Sequence, residues 1–451
     1  MDFTIESKRS VGGRIASNAG LLFGAKSLGA ALGFVTLIIT AQALDNPTEF
    51  GVVILLHGYM LFFAEMMTFQ PWQSIIRFGS DDIERADGAR LAQLVKFAAI
   101  LDAVAVVLAY LAAVSLFGLF VALATRFPGI SPVFQQVDPD RLFKLIAAYS
   151  SVVLFQQIGM STGILRLFDR FRGLAAAWLV MPVVRFAGAV FAASQGWGLL
   201  GFVAVWYLGA LSRYLVVIGL GLAELSRRGI LRPALVAKVS LRHPRDGLWP
   251  FASKAYVESS LAAGFTHLPL LLVTVVFGPA FAAIYKIAEE VARLLSEGVK
   301  LLDQVIYPEL ARIVAAGEGG KMMRLVTRAS FVAIGVGVFL SGVVYFFGPS
   351  LVERFLSEDY AASVELAVLL VIGAAIFAAV APLYPVFYAV GRPERAIYAR
   401  LTGIIAYIIG FALLTRRLGE IGTAWAWIVG YAAALVVTVW LVRRTLEGYA
   451  S

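Results

Sequence analysis

Residues 285–308 read YKIAEEVARLLSEGVKLLDQVIYP inside a chain that is otherwise overwhelmingly apolar. Lys286, Glu290, Arg293, Glu297 and Lys300 follow one another at helical spacing. At about 100° per residue the five groups share an arc of roughly 80° on one helix face. Their signs alternate, and Gln304 extends the stripe by another turn. Ionisable groups at membrane depth are expensive and rarely point at lipid. Such a helix is expected to face other protein or a watery cavity.

The wider chain places that helix in a membrane. Of 451 residues, 60% are hydrophobic and 15% charged, where soluble domains carry about 45–50% and about 25%. The net charge of +9 would suit nucleic acid, but the basic residues fall mostly in short links between apolar spans, so no nucleic-acid partner is expected. Met1–Ser17 is largely polar and the first apolar span is too long for a cleaved signal, so no leader is expected. With no cysteine, disulfides and thiolate chemistry are excluded. Three histidines, His57, His243 and His267, are too few for a histidine-rich metal site to be expected, and no metal or organic cofactor is expected.

About twelve spans of roughly 20 apolar residues can be read. They lie near Ala19–Leu44, Gly51–Phe69, Leu91–Ala122, Leu142–Leu167, Gly173–Ala193, Leu199–Leu225, Trp249–Phe277, Ala280–Ile313, Ala329–Phe347, Ala362–Val390, Ile397–Leu414 and Thr423–Val442. Alternate links carry the lysines and arginines, such as Arg77, Arg85 and Arg90, or Arg227, Arg228 and Arg232. By the positive-inside rule both termini are expected in the cytoplasm.

The longest basic link, 226–247, divides the chain into two sets of six: an amino-terminal bundle, 1–225, and a carboxy-terminal bundle, 248–451. Gly198, Gly201 and Trp206 recur at identical spacing as Gly419, Gly422 and Trp427. Gly33 and Pro47 are echoed by Gly264 and Pro279. The shared order favours an internal duplication, and the plan expected is all-α, two six-helix bundles closing alternately around a central cleft. Gly29, Gly33, Gly264, Pro269, Pro382 and Pro385 lie inside spans, where they serve either bending or close helix packing.

The charges at depth have two readings. In the first, the eighth span is a self-neutralising ladder, Lys286 with Glu290 and Arg293 with Glu297. In the second, cations bind an anionic cargo while acids hold them or exchange protons. Lys26, Arg185, Lys254, Lys286 and Arg293 are the candidate cargo-binding cations. Glu65, Asp102, Glu258, Glu290 and Glu297 are the candidate ion-coupling or cavity acids, with H+ or Na+ as the coupling ion. Lys26 also sits where it could snorkel to the headgroups, whereas Arg185 lies near mid-span and could not. Lys254 and Glu258 are one turn apart. Asp102 has no cation within a turn of its own helix, so its partner is expected from another span. Gln156 and Gln157 suit either a sugar or inter-helix bonding, and His57 and His267 read as packing residues. No Walker loop, nucleophile elbow or zinc helix is present, and the outward links are short, so an enzyme is not expected.

Four segments carry a family resemblance. Ala43-Leu44-Asp45-Asn46-Pro47-Thr48-Glu49-Phe50-Gly51 is similar to the leucine–glycine–proline–acidic–phenylalanine–glycine segment of the bacterial polysaccharide transporters, with Asn46 in place of the usual glycine. Tyr307-Pro308-Glu309-Leu310-Ala311-Arg312, Gly391-Arg392-Pro393 and Gly419-Glu420-Ile421-Gly422-Thr423-Ala424 resemble later turns of the same family. These are the O-antigen and exopolysaccharide flippases, in a superfamily that includes the MATE multidrug antiporters and the lipid II flippases. The resemblance implies a MATE-like fold in the bacterial inner membrane. It implies a flippase for undecaprenyl-pyrophosphate-linked oligosaccharide, working among membrane lipids beside a polysaccharide polymerase and glycosyltransferases. The alternative is an ion-coupled small-molecule antiporter on the same fold. An organic-cation exporter would want acids and aromatics, and here the cations at depth match the acids.

Overall fold

The computed structural model describes residues 11–126, 132–240, 245–293, 319–380 and 394–450, with short pieces at 383–384 and 387. Within them the chain is helical, with no strand. Nine stretches are long and apolar enough to cross a membrane, ten with the bent Leu248–Phe277 pair, among the described residues. The chain is a multi-pass membrane protein. The last stretch, Glu394–Arg444, holds two helices joined by a 3-10 turn at Gly419–Ile421. The expected eighth span begins as helix 279–293 and then leaves the described residues.

The chain forms two compact units, Met1–Pro279 and Ala280–Ser451. In the first, helix α1 (Val11–Leu44) packs on α7 (Phe171–Ser194). Helix α2 (Pro47–Met67) packs on α4 (Gly88–Arg126) and on α10 (Leu248–Phe277), and α8 (Leu199–Arg227) on α7. The α1–α2 turn explains the motif there. Asp45 takes a left-handed φ of 46°. The Asn46 side chain accepts the Thr48 amide at 2.8 Å, and Pro47 occupies the first helical turn, where its missing N–H costs nothing. Asparagine thus supplies the cap that glycine would lack. Gly51 is needed because a Cβ there would lie 1.8 Å from the Pro279 carbonyl.

Two spans are broken where the sequence reading had them end or run on. After Met67 the chain turns through Gln70, with a left-handed φ of 51°, and a further helix, α3 (Pro71–Glu84), begins at a proline. The Gln70 side-chain oxygen accepts from Trp72 Nε1, which holds the turn. The fourth span divides into α5 (Pro139–Ser150), a 3-10 turn at Ser151–Phe155, and α6 (Gly159–Leu167). Helix α6 starts mid-span, and its first amides need acceptors that lipid cannot give. The buried Asp102 carboxylate on α4 supplies one, accepting Met160 N at 2.7 Å. Gly159 makes room, since a Cβ there would meet Asp102 Oδ1 at 2.6 Å.

At the arginine-rich ends of these helices, Ile75, Leu91, Val95, Leu101, Ile164, Leu225 and Leu248 close one hydrophobic core. The same core includes Ala234 of a short helix, α9 (Leu231–Val236). Glu224 bridges Arg170 at 3.0 Å and Arg228 at 2.7 Å. Lys96 Nζ donates to the Leu235 and Ala237 carbonyls at the end of α9.

The second unit holds helix 279–293 from Ala280 on, called α11 here, with α12 (Gly319–Phe355), α13 (Ala362–Val380), α14 (Glu394–Leu418) and α15 (Gly422–Ala450). Helix α15 packs on α13 and α14. Gly419 takes a left-handed φ of 63° in the turn between the last two helices.

Candidate functional site

Among the described residues, each unit carries a polar cluster that lies inside its apolar interior. In the first, Arg185 projects from α7 into the bundle and is 8% exposed. Its Nη2 donates to the Trp206 carbonyl at 3.3 Å and lies 3.2 Å from the ring nitrogens of His57. The guanidinium also stacks over the Trp206 indole, 4.6 Å from its centroid. His57 Nδ1 is 3.0 Å from the Tyr149 hydroxyl, and its ring meets Trp206 edge-on. Gly209 allows this approach, because a Cβ there would lie 2.4 Å from Arg185 Cγ.

No carboxylate pairs with Arg185 among the described residues, and its buried Nε has no acceptor. The same holds for the Nε of Arg213 on α8. Tyr214, next to Arg213 in sequence, donates to Gln156 at 2.9 Å. Ser151 and Tyr207 pair at 3.0 Å. The break in the fourth span therefore brings hydroxyl and amide groups to the level of the arginines. A guanidinium that carries five donors and lacks an acid partner is set up to receive an anion.

In the second unit, Lys286 reaches Glu289 at 2.6 Å and Glu290 at 3.5 Å, and Arg293 bonds Glu290. Two cations meet two acids, so this quartet is neutral. Beside it Trp427 donates to the Tyr285 hydroxyl; Tyr407 meets Trp427 edge-on and Tyr431 lies tilted against it.

The Lys286–Glu290 pair expected in the eighth span is present, beside a shorter bond from Lys286 that was not expected. Glu289 takes the short bond to Lys286, and Arg293 turns back to Glu290; Glu297 lies outside the described residues, as does the side chain of Glu258. The remaining candidates are dispersed. Lys26 is exposed, its Nζ 5.2 Å from the Trp178 ring centroid. Lys254 is exposed. Glu65 pairs with His267 of α10 at 3.1 Å. Asp102 finds its partner in another span, as expected, but the partner is a backbone amide rather than a cation. No hydrogen bond or ion pair joins any two of Lys26, Glu65, Asp102 and Arg185 among the described residues. His57, Tyr149, Trp206 and Tyr214 were not singled out as a site from sequence. Trp206 could have been, since it is the aromatic of the repeated Gly-Gly-Trp spacing.

No family model matches this chain. Inner membrane protein YghQ of Escherichia coli (strain K12) is 24% identical over 364 residues, 78% of this chain and 95% of that protein. Among solved structures, the inward closed conformation of the lipid II flippase MurJ matches with TM-score 0.69 at 11% identity, covering 95% of this chain and 89% of that one. An inward-facing multidrug resistance MATE family transporter of the MOP superfamily matches with TM-score 0.71 at 13% identity, covering 93% and 95%. A MOP superfamily transporter from Pyrococcus furiosus, described for the reverse polarity of its binding pocket, matches with TM-score 0.60 at 13% identity, covering 97% and 96%. The fold is that of the MATE and MurJ transporters.

Proposed function

We propose that this chain is an inner-membrane flippase. It carries undecaprenyl-pyrophosphate-linked oligosaccharide from the cytoplasmic to the periplasmic leaflet by alternating access, for surface polysaccharide synthesis. The observation that carries this reading is Arg185, a buried guanidinium with a free Nε–H and no acid partner among the described residues. A buried cation without a counter-charge is costly in an apolar bundle, and an anionic head entering the site would offset that cost. The hydroxyls of Tyr149 and Tyr214 and the amide of Gln156 suit a sugar beside the phosphate. The likeness of fold to a lipid II flippase supports a lipid-linked cargo, and the relative named as an inner membrane protein supports the location.

Under this reading both termini are cytoplasmic, 226–247 is the link between two six-helix halves, and a polymerase and glycosyltransferases act before and after the flip. H+ or Na+ coupling would use Glu65, paired with His267, or the acids of the eighth span. The rival is an ion-coupled small-molecule antiporter. It draws support from the second unit, where Glu289 lies beside Tyr285 and Trp427, an acid–aromatic setting suited to an organic cation.

Deleting the gene separates the two. Lipid-linked repeats should accumulate on the cytoplasmic leaflet while surface polysaccharide falls. Intact polysaccharide with increased drug sensitivity would replace the flippase by the antiporter.

A further inference from the structure

A further polar site lies away from both clusters, at the arginine-rich end of the first unit. A pocket of about 530 Å³ opens between the α3–α4 turn and the segment leading into α10. Its floor is apolar: Leu94, Phe97 and Leu248 are buried. Leu94 and Phe97 belong to Gly88–Leu123, a stretch long and apolar enough to cross a membrane. The rim carries both signs of charge.

Two of the rim cations are already engaged. Arg245 is fixed at 3.0 Å to the buried Asp82 beneath it, and Arg90 is 4.0 Å from Asp87. Arg85 and Lys238 make no ion pair with any described residue, and neither do the rim acids Asp81 and Asp246. All four are exposed. Opposite charges that share a small pocket without pairing leave one anionic and one cationic position open above an apolar floor.

We propose that this pocket binds the headgroup of a zwitterionic aminophospholipid, with Arg85 and Lys238 on the phosphate, Asp81 and Asp246 on the ammonium, and the glycerol and first methylenes on Leu94 and Phe97. A purely anionic headgroup would meet repulsion from the two acids, and a free phosphate would leave both the acids and the apolar floor unused. The proposal is independent of the cargo, since none of its residues belongs to either polar cluster.

The test uses the full-length protein in nanodiscs of phosphatidylethanolamine and phosphatidylglycerol, released into the mass spectrometer to count retained lipids. The wild type should retain phosphatidylethanolamine about tenfold over phosphatidylglycerol, the scale expected when several exposed charge contacts of modest strength add. Asp81→Asn with Asp246→Asn should abolish that preference, and Arg85→Gln with Lys238→Gln should lower retention of both lipids. These side chains are exposed, so both double variants should melt at the wild-type temperature; Lys238→Gln alone should give a smaller loss of the same kind. Equal or greater retention of phosphatidylglycerol by the wild type, or wild-type lipid counts in both double variants, would overturn the proposal. Displacement of the bound lipid by millimolar inorganic phosphate would also overturn it, by reassigning the pocket to a soluble anion.

Discussion

Trp206 in the first unit and Trp427 in the second stand at matching places in the repeated spacing, and each is the hub of its unit's polar cluster. Trp206 carries a guanidinium on its face, with an imidazole at its edge. Trp427 donates to a tyrosine hydroxyl beside four charges that cancel. His57 and Glu289 are separated by 232 residues, as are Pro47 and Pro279. Where one half has a histidine next to an unpaired arginine, the other has an acid next to a lysine. The framework is repeated while the charge is not. A neutral quartet stabilises its own helix, whereas a lone arginine gains its partner from outside. The first cluster should therefore matter for transport and the second for stability.

Glu290→Gln gives the largest expected effect on that contrast. The carboxylate is 5% exposed and serves both Lys286 and Arg293. Breaking a buried pair by removing one partner costs about 3–5 kcal/mol, which should appear as a sharply lower melting temperature in detergent. In Arg185→Gln no carboxylate is orphaned, and contacts to Trp206 and His57 are lost, so the melting temperature should fall by less than in Glu290→Gln. Equal melting losses in the two variants would erase the distinction between the units.

Gly209→Ala probes the first unit without touching a charge. Its Cβ would displace Arg185, so transport should fall by about an order of magnitude, in line with about 1–3 kcal/mol for overpacking. Gly430→Ala is the matching change in the second unit, where the Cβ would lie 2.9 Å from Tyr407 Cβ. There the loss should be read in thermal stability instead. A Gly430→Ala protein that melts normally but fails to transport would move the cargo site into the second unit.

Replacing the two indoles sharpens the comparison further. Trp206→Leu removes a cation–π contact of about 2 kcal/mol in a desolvated site and should slow transport. Trp427→Phe removes one hydrogen bond worth about 1 kcal/mol and should cost only stability. Smallest is Lys26→Ala. The lysine is exposed over Trp178, and such contacts are worth about 0.5–1 kcal/mol, so export assays should change by less than about fivefold. A loss as large as that of Arg185→Gln would return Lys26 to the cargo site.

These differences were only partly readable in the sequence. Hydropathy located the apolar spans, because burial in lipid acts on composition residue by residue. Arg185 stood out for a related reason, its mid-span position forbidding escape to water. The breaks at Thr68–Gln70 and Gln156–Ile158 were not readable. Each is stabilised by groups distant in sequence, as when Asp102 caps Met160 across 58 residues. The eighth-span charges suit either self-pairing or cargo binding in the sequence; the Lys286–Glu290 spacing is met in the structure, while the Glu289 and Arg293–Glu290 contacts were not foreseen. Spacings of three and four compete within a fraction of a kcal/mol on a helix, and the tertiary setting chose Glu289 for Lys286. The companions of Arg185 come from three further helices, and no local pattern marks them.

Binding of undecaprenyl pyrophosphate to the purified protein, compared between wild type and Arg185→Gln, tests the central claim most directly. Removing a buried charged contact to an anion should weaken binding by about thirtyfold or more, with the variant still folded. Wild-type affinity in the folded Arg185→Gln variant would show that the lone arginine is not where the anionic cargo sits.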